Sequence, residues 1–240
     1  MTINTNNPLA CAVIVGRAGS KGLPRKNELE LAGEPMVAYS IEDARSAQTV
    51  RRIIVSTDSE VMAQAAQQRG VELVARPREL ADDTATVDAA VRHAVRTASI
   101  NEPVIVILYA NVPIRPEDLI DRAVRELVTS GADSVQSYAD VGKHHPHWMV
   151  RLGAGGRVEP HVNNAVYRRQ DLPELLLPDG GVIAVTRAAL LAGGEQPHSF
   201  LGEDRRGIRA PAGTVLDIDS AVDLAIAEAY LDRTVVGATA

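Results

Sequence analysis

A chain of 240 residues, of which 45% are hydrophobic, is long enough to bury the core of one α/β domain. Its formal net charge of -6 argues against general nucleic-acid binding, and its single cysteine, Cys11, excludes an internal disulfide. The sequence shows neither a run of about 18 apolar residues nor a signal-peptide pattern, which argues against a membrane helix. We therefore expect a cytoplasmic protein with no nucleic-acid or membrane partner.

Apolar runs and helical patterns alternate along the first 131 residues. Runs rich in β-branched residues predict buried strands at residues 10–16, 52–57, 71–75 and 104–110. Residues 84–99 and 116–131 instead place apolar residues at helical spacing, which is typical of amphipathic helices. Strands that alternate with crossover helices predict an α/β fold with a mostly parallel sheet flanked by helices. Ligands of such sheets bind at the carboxyl ends of the strands.

The pattern changes between residues 140 and 180. This stretch is rich in glycine and proline, and it contains "HHPH" followed by the chain's one tryptophan, Trp148. We interpret it as an insertion with short strands that serves substrate recognition or the pairing of two subunits. Residues 181–187 resume a strand, and residues 213–231 are predicted to form a strand, an acidic turn and a helix. Because no repeat or linker interrupts the chain, residues 1–240 are predicted to form one domain.

The first predicted strand runs into a basic loop, "GRAGSKG", which contains three glycines. Glycine allows several backbone N–H groups to turn towards one point, and this arrangement forms a nest for an anion. Arg17, Lys21 and Lys26 can add charge-assisted hydrogen bonds to phosphate oxygens. The alternative is a flexible solvated turn whose cations only offset nearby acidic residues.

An acidic turn lies near the end of the sequence. Asp217 and Asp219 are two residues apart, so an extended backbone points both carboxylates to the same face. Mg²⁺ prefers oxygen ligands and often takes one or two carboxylates. The alternative is structural, with Asp219 or Ser220 capping the helix that follows. At a second strand end, Asp58 or Ser59 is interpreted as a helix cap.

The segment "RAGSKGLPRKN" (17–27) closely resembles the signature of the acylneuraminate cytidylyltransferases, the CMP-sialic acid synthetase family. Further matching segments follow in the family's order at residues 54–73, 76–86, 168–176 and 216–224. The resemblance implies a Rossmann-like sheet of the nucleotide-diphospho-sugar transferase type, with a dimerisation insertion. It also implies that CTP and an acidic, sialic-acid-like nonulosonic sugar give a CMP-sugar and pyrophosphate. Mg²⁺ would be the cofactor, and a homodimer the assembly.

The same resemblance implies the roles of individual residues. Charge on the phosphates would be stabilised by Arg17, Lys21 and Lys26. The nucleotide would be bound by these three and by Gly19, Ser20, Asn27, Arg76 and Thr86. The sugar would be bound by Tyr109, Asn111, Lys143, Arg168, Arg169 and Asp179, and the Mg²⁺ ion by Asp217 and Asp219. Without the resemblance, Arg76 would be interpreted as a surface salt-bridge partner of Glu79 or Asp83.

Several positions depart from the family's usual pattern. Tyr109 stands where the family has a glutamine, Asn111 where it has a threonine, and Asp179 where it has an asparagine. Buried hydrogen-bonding groups discriminate strongly between substrates, so these changes leave open a nucleotidyltransferase that uses GTP or UTP and a different sugar. A non-catalytic nucleotide-binding protein is a further alternative. Gly16, which replaces an alanine, is interpreted as a modest change.

Overall fold

The computed structural model describes residues 9–19, 23–163, 165–194 and 196–237, and only the backbone of residues 233–237. The strands in these ranges are β1 (Ala10–Val15), β2 (Glu30–Leu31), β3 (Glu34–Pro35), β4 (Val50–Thr57), β5 (Glu72–Ala75), β6 (Val104–Tyr109), β7 (Ser134–Asp140), β8 (Val150–Leu152), β9 (Val158–Pro160), β10 (Leu176–Thr186) and β11 (Arg205–Arg209). The α-helices are α1 (Met36–Ser46), α2 (Glu60–Gln68), α3 (Val87–Thr97), α4 (Leu119–Ser130), α5 (Arg187–Ala192) and α6 (Ala221–Gly237). No helix within these ranges is long and apolar enough to span a bilayer.

A seven-stranded sheet forms the centre of the fold, with the strand order β11-β7-β10-β6-β1-β4-β5. Strand β10 runs antiparallel to β6 and β7, whereas the other neighbouring pairs are parallel. The predicted mostly parallel sheet flanked by helices is therefore confirmed. The first four predicted strands and both predicted helices are present, although their ends differ by up to three residues. For example, α3 begins at Val87 because the hydroxyl of Thr86 accepts a hydrogen bond from the Ala89 N–H and caps the helix.

The predicted strand within residues 213–231 is wrong. Leu216 makes only an isolated bridge to Ile114, which lies beyond the end of β6. Because the bridge partner lies in a loop, no regular ladder can extend from it. The backbone is tied again two residues later, where the Ile218 N–H donates to the carbonyl oxygen of Asn111 at 2.9 Å. The acidic turn is thus attached to the loop after β6 and not to the sheet.

Strand β1 is buried on both faces, and its alternate residues belong to two different cores. Ala12 and Ile14 pack with residues of α1, α2 and α4 on one face of the sheet. Val13 and Val15 pack with residues of α3 and α5 on the other face. This burial on both faces explains why the strand reads as a continuous apolar run. It also fixes where β1 ends and the basic loop begins.

The stretch between β7 and β10 contains short 3₁₀ turns and the hairpin of β8 and β9. We call residues 141–175 the arm. Many of its apolar side chains are exposed, among them Leu152 at 75% and Val158 at 61%, which face each other across the hairpin. His145 is buried, and its Nε2 lies 3.0 Å from the carbonyl oxygen of Pro173, which joins the two ends of the arm. The division of the chain into a domain and an insertion stays a prediction.

Gly16 directly follows β1, and the structure leaves no room for a side chain there. A Cβ atom at Gly16 would lie 2.7 Å from Cε of Met62 and 2.8 Å from Cβ of Ala110. The Met62 side chain can move, but the Ala110 Cβ moves only with its backbone. The glycine at position 16 therefore allows Met62 and Ala110 to pack closer than an alanine there would permit. The replacement of the family's alanine is thus a larger change than the sequence suggests.

We predict that Gly16→Ala lowers the free energy of unfolding by about 1–3 kcal/mol, because overpacking forces neighbouring atoms apart. Urea denaturation measures the change. Gly19→Ala is the control in the same loop, since a Cβ atom there would meet nothing within 4 Å, and its effect should stay within about 0.5 kcal/mol. Equal stability of the two variants would contradict the packing constraint at Gly16.

Candidate active site

A pocket of about 200 Å³ opens at the carboxyl ends of the parallel strands β1, β5 and β6. It collects residues that are far apart in sequence. Seven of the predicted site residues line it: Arg17, Lys26, Asn27, Arg76, Thr86, Tyr109 and Asn111. Gly19 lies in the exposed basic loop beside it, while Ser20 and Lys21 lie outside the described residues. We call this space the nucleotide pocket.

Arg17 is held at the side of the nucleotide pocket by neighbours from two segments. Its Nη2 lies 2.8 Å from Oδ1 of Asp83, and its Nη1 donates to the carbonyl oxygen of Ala81 at 3.3 Å. Its own carbonyl oxygen accepts a hydrogen bond of 2.8 Å from Nδ2 of Asn27. The buried Oδ1 of Asn27 has no hydrogen-bond partner among the described residues. The pocket thus combines a half-buried guanidinium with an unsatisfied acceptor.

The basic loop is anchored to the end of β4. Oδ1 of Asp58 accepts a hydrogen bond of 2.9 Å from the Ala18 N–H. The neighbouring Ser59 caps α2 by accepting from the Met62 N–H, as the sequence predicts for this pair. Arg25 enters the turn before Lys26 with φ of 53°, a left-handed conformation. These contacts turn Lys26 and Asn27 back towards the pocket.

Arg76 follows β5 and lines the nucleotide pocket. Its Nη2 donates to the carbonyl oxygen of Ser56 at 2.6 Å, whereas its buried Nε has no hydrogen-bond partner among the described residues. Loss of water around the guanidinium lowers the pKa of Arg76 below its usual value. The alternative partner Asp83 pairs with Arg17 instead. A partly buried cation with a spare donor is suited to binding an anion.

The acidic turn lies beside the nucleotide pocket: Asp217 and Asp219 do not line it, but each contacts a residue that does. Oδ1 of Asp217 accepts a hydrogen bond from Nδ2 of Asn111, and Asp219 forms an ion pair with Lys26. The cap of α6 is a capping box, in which Oγ of Ser220 accepts from the Asp223 N–H at 3.3 Å and Oδ2 of Asp223 accepts from the Ser220 N–H at 2.8 Å. Of the two caps that the sequence offers, Ser220 is the one that forms. This cap leaves the carboxylate of Asp219 available for contacts at the pocket.

The surroundings of Asp217 disfavour the ionised form of its carboxyl group. Its partial loss of solvent, followed in size by the charge of Asp219, raises the pKa of Asp217 to about 6. Lys26 lowers the pKa of Asp217, but its one positive charge cannot neutralise both Asp217 and Asp219. The site therefore presents oxygen donors and an excess of negative charge, which fits the ligand preference of Mg²⁺.

A second cavity of about 280 Å³ adjoins the first, and we call it the distal pocket. The two share Thr86, Val87 and Tyr109 in their walls, so Tyr109 lies between them. The distal pocket is otherwise lined by residues that sequence reasoning missed, including Gln136, Ile183, His198 and Phe200. The sequence carried no signal for them: strand β7, which holds Gln136, was not predicted, and the others reach the cavity through the folding of distant segments.

Asp179 lies in β10 close to this junction. Its Oδ1 accepts hydrogen bonds from the Ser137 hydroxyl and from the Gly181 N–H, but its buried Oδ2 has no partner among the described residues. A Cβ atom at the intervening Gly180 would lie 3.6 Å from Oδ2 of Asp217 and 3.9 Å from the Tyr109 ring. Gly180, the residue after Asp179, thus lies near the acidic turn and the boundary between the pockets, whereas Asp179 itself lines neither pocket.

The remaining predicted sugar ligands lie on the arm. Lys143, Arg168 and Arg169 are exposed and line neither the nucleotide pocket nor the distal pocket. The Nε of Arg168 lies 2.7 Å from Oδ2 of Asp171. The structure does not bring these three cations to the site within one chain, and their role in sugar binding stays a prediction.

Arg115 is a supporting residue that sequence reasoning left without a role. Its side chain is 1% exposed and forms an ion pair with Asp43 of α1 at 3.0 Å. The same guanidinium donates to the carbonyl oxygens of Tyr109 at 3.0 Å and of Gly181 at 2.6 Å, and to that of Val112. These bonds join the loop after β6 to α1 and β10. An arginine in the apolar segment "NVPIR" is the signal that could have identified it.

The cytidylyltransferase family model matches residues 11–170. The chain belongs to the cytidylyltransferase family. It is 32% identical over 213 residues to the N-acylneuraminate cytidylyltransferase of Streptococcus agalactiae serotype III, which covers 88% of this chain and 50% of that protein. The chain thus spans about half the length of this relative.

Two further comparisons concern proteins of similar length. The CMP-N,N'-diacetyllegionaminic acid synthase of Legionella pneumophila is 29% identical over 230 residues, covering 92% of this chain and 95% of the relative. A solved structure of CMP:2-keto-3-deoxy-manno-octonic acid synthetase complexed with CTP has a TM-score of 0.71 and 17% identity, covering 94% of this chain and 99% of the other. At that identity the structural likeness establishes a common fold.

We predict that Asp217→Asn stabilises the metal-free cytidylyltransferase by about 1 kcal/mol at pH 7.5. A pKa raised to about 6 means that the folded state favours the protonated carboxyl, so stability is lost as the pH rises from about 4 to about 6. The gain is smaller than the full pKa shift implies, because Asp217 is partly exposed and solvent screens its repulsion. The gain should vanish near pH 4, below the folded-state pKa and close to the unfolded one.

Urea denaturation in the presence of a chelator measures this difference at both pH values. Asp118→Asn, an exposed carboxylate at the start of α4, is the control and should change stability by less than about 0.5 kcal/mol. A loss of stability in Asp217→Asn at pH 7.5 would mean that Lys26 and Asn111 outweigh the repulsion.

Proposed function

We propose that this chain transfers a cytidylyl group from CTP to an acidic, sialic-acid-like nonulosonic sugar and releases pyrophosphate. The observation that carries the proposal is the contact between two charged elements at one pocket of a cytidylyltransferase-family chain. Arg17, Lys26 and Arg76 line the pocket, and the acidic turn adjoins it, because Asp219 pairs with Lys26 and Asp217 accepts from Asn111. Binding alone does not require both a cationic cradle and a pair of carboxylates. The names of the relatives support the choice of CTP and of this sugar class.

The nucleotide pocket supplies groups suited to a triphosphate. The Arg17 guanidinium and the spare Nε of Arg76 can donate to phosphate oxygens, whereas the unsatisfied Oδ1 of Asn27 can accept from a ribose hydroxyl. Lys26, now paired with Asp219, can exchange that partner for a phosphate. Transfer of a phosphoryl-type group depends mainly on holding the reactants in line and on stabilising charge over the phosphates. These residues would perform both tasks.

The proposal includes Mg²⁺ held by Asp217 and Asp219. Their two carboxylates carry more negative charge than Lys26 neutralises, and their oxygens are the donors that this ion prefers. When bound, the ion would neutralise phosphate charge and orient the triphosphate. The chain's own residues would keep the two carboxylates in place. Asn111 donates a hydrogen bond to the Asp217 carboxylate, and Asp223 of the Ser220–Asp223 capping box accepts the backbone N–H of Asp219.

The distal pocket is the space we propose for the sugar. It adjoins the nucleotide pocket at Tyr109, so a hydroxyl of a bound sugar can approach the α-phosphate from there. Gln136 and His198 offer hydrogen-bonding groups, while Ile183 and Phe200 offer apolar contact. Thr86 caps the N-terminus of α3 at the same boundary, and the partial positive charge of a helix N-terminus favours an anionic group.

An assay of Mg²⁺-dependent pyrophosphate release tests the function. CTP, GTP, UTP and ATP are supplied in turn with a panel of nonulosonic acids, and we expect release with CTP and one acidic sugar. Release with GTP or UTP alone would replace CTP in the proposal and identify Tyr109 as the first position to mutate. Absence of turnover in a folded sample that binds nucleotide would favour the non-catalytic alternative.

We predict that Arg17→Ala lowers turnover by roughly 10²-fold or more, because a charge donor to the transition state is lost. Steady-state kinetics with the active substrate pair measure the effect. Arg206→Ala is the matched control. Arg206 is an exposed arginine of β11 that pairs with Asp204, and β11 lies at the edge of the sheet away from the site. A folded Arg17→Ala variant with nearly full activity would remove this role from Arg17.

The proposal also includes a homodimer formed through the arm, in a protein that acts in the cytoplasm, where CTP is supplied. The exposed apolar side chains of the arm support self-association, because contiguous apolar surface marks interaction sites. In such a dimer, Arg168 and Arg169 of one arm would be available to the sugar pocket of the partner subunit. This arrangement would give these cations the sugar-binding role that they do not have within one chain.

We predict that replacing Leu152 and Val158 together by glutamate converts the dimer to a monomer, since two exposed apolar contacts would become carboxylates that an interface has to desolvate. Light scattering coupled to size-exclusion chromatography gives the mass. Val222→Glu is the control, because Val222 is 67% exposed on α6, outside the arm. If the double glutamate variant still has the mass of two chains, the dimer interface lies outside the hairpin of β8 and β9.

A further inference from the structure

Asn111 connects the loop after β6 with the acidic turn. The residue is 8% exposed, and its Nδ2 donates to Oδ1 of Asp217 and, at 3.4 Å, to the carbonyl oxygen of Ile218. The carbonyl oxygen of Asn111 accepts the Ile218 N–H at 2.9 Å. Both donor contacts of the amide group are therefore directed at the turn. Asn111 lines the nucleotide pocket and is not part of the wall of the distal pocket.

The loop that carries Asn111 is held on both sides. Ile114 bridges to Leu216, whose N–H donates to the Ile114 carbonyl oxygen at 3.2 Å. The buried guanidinium of Arg115 binds the carbonyl oxygens of Tyr109 and Val112, which flank Asn111 in sequence. The backbone at Asn111 is thus fixed relative to both the sheet and the acidic turn. A side chain on such a rigid support can fix the orientation of its partner.

We propose that Asn111 is a positioning residue that orients the Asp217 carboxylate for a divalent cation bound at the acidic turn. The inference rests on the proposed function for the role of the cation. The hydrogen bond from Asn111 restricts rotation of the Asp217 carboxylate and thereby determines which oxygen lone pairs are available to the cation. Residues that hold a metal ligand in this way typically change metal affinity about 10–100-fold when mutated. This role differs from the sugar contact that the family resemblance implies for Asn111.

Binding of Mn²⁺, measured by electron paramagnetic resonance in the presence of CTP and without any sugar, tests the inference without turnover. We expect Asn111→Leu to weaken Mn²⁺ binding by about 10-fold or more, because it keeps a similar size but removes the amide donor. Asp217→Asn should weaken it further. Gln136→Leu is the matched control: it removes the same type of group from the distal pocket and should leave Mn²⁺ binding unchanged.

A second variant and a second readout separate positioning from other roles. Asn111→Ser removes the amide with a smaller side chain and should weaken Mn²⁺ binding as well, with circular dichroism and thermal melting confirming that each variant is folded. At saturating Mg²⁺, the KM for the sugar should stay near the wild-type value in Asn111→Ser and rise in Gln136→Leu.

Unchanged Mn²⁺ affinity in folded Asn111→Leu and Asn111→Ser would overturn the inference, and so would a raised sugar KM with normal Mn²⁺ binding. Equal Mn²⁺ affinity of Asp217→Asn and the wild type would also overturn it, because Asp217 would then not be a ligand. The proposed function fails in a different way. If the wild type binds Mn²⁺ through Asp217 and depends on Asn111, yet releases no pyrophosphate with any substrate pair, the inference stands and the proposed reaction does not.

Discussion

The hydrogen bonds of one buried guanidinium hold the site together. Arg115 joins the carbonyl oxygens of Tyr109 and Gly181 to Asp43 and Ser40 of α1, so a strand end, a neighbouring strand and a helix share one centre. Burial lowers the pKa of Arg115 and raises that of Asp43, and each group stabilises the charged form of the other. Removing either partner would leave an uncompensated charge in the interior, which is far more costly than losing an exposed ion pair. The loop after β6 therefore has one well-defined position.

Because that loop is fixed, the two pockets meet at a defined boundary. Tyr109 separates them, and burial raises the pKa of its phenol above the ordinary value. Asp179 and Gly180 approach the same boundary from β10, which lies beside β6 in antiparallel orientation. A glutamine at the position of Tyr109 would present a carboxamide there. The aromatic ring instead forms a shared wall, which places specificity in its shape and in the polar groups around it.

Two cations of the site are held by acidic residues of the chain. Lys26 pairs with Asp219, and Arg17 pairs with Asp83. A triphosphate and a divalent cation would exchange these internal pairs for external ones, with the cations turning to phosphate and the carboxylates to the metal. In the proposed reaction, ionised groups that are already held in place would need less reorganisation. A chain of net charge -6 can for this reason keep a local anion site.

The sequence by itself determined the elements and the chemistry at their ends. Apolar runs identified β1, β4, β5 and β6, the basic loop was placed at a strand end, and the capping box at Ser220 was recognised, because each depends on residues close together in the chain. Only the tertiary structure decided which groups face each other. Asn111 and Asp217 are 106 residues apart, and the distal pocket takes Gln136 and His198 from segments that no local pattern connects. Such contacts follow from strand order and loop anchoring, which periodicity and spacing do not encode.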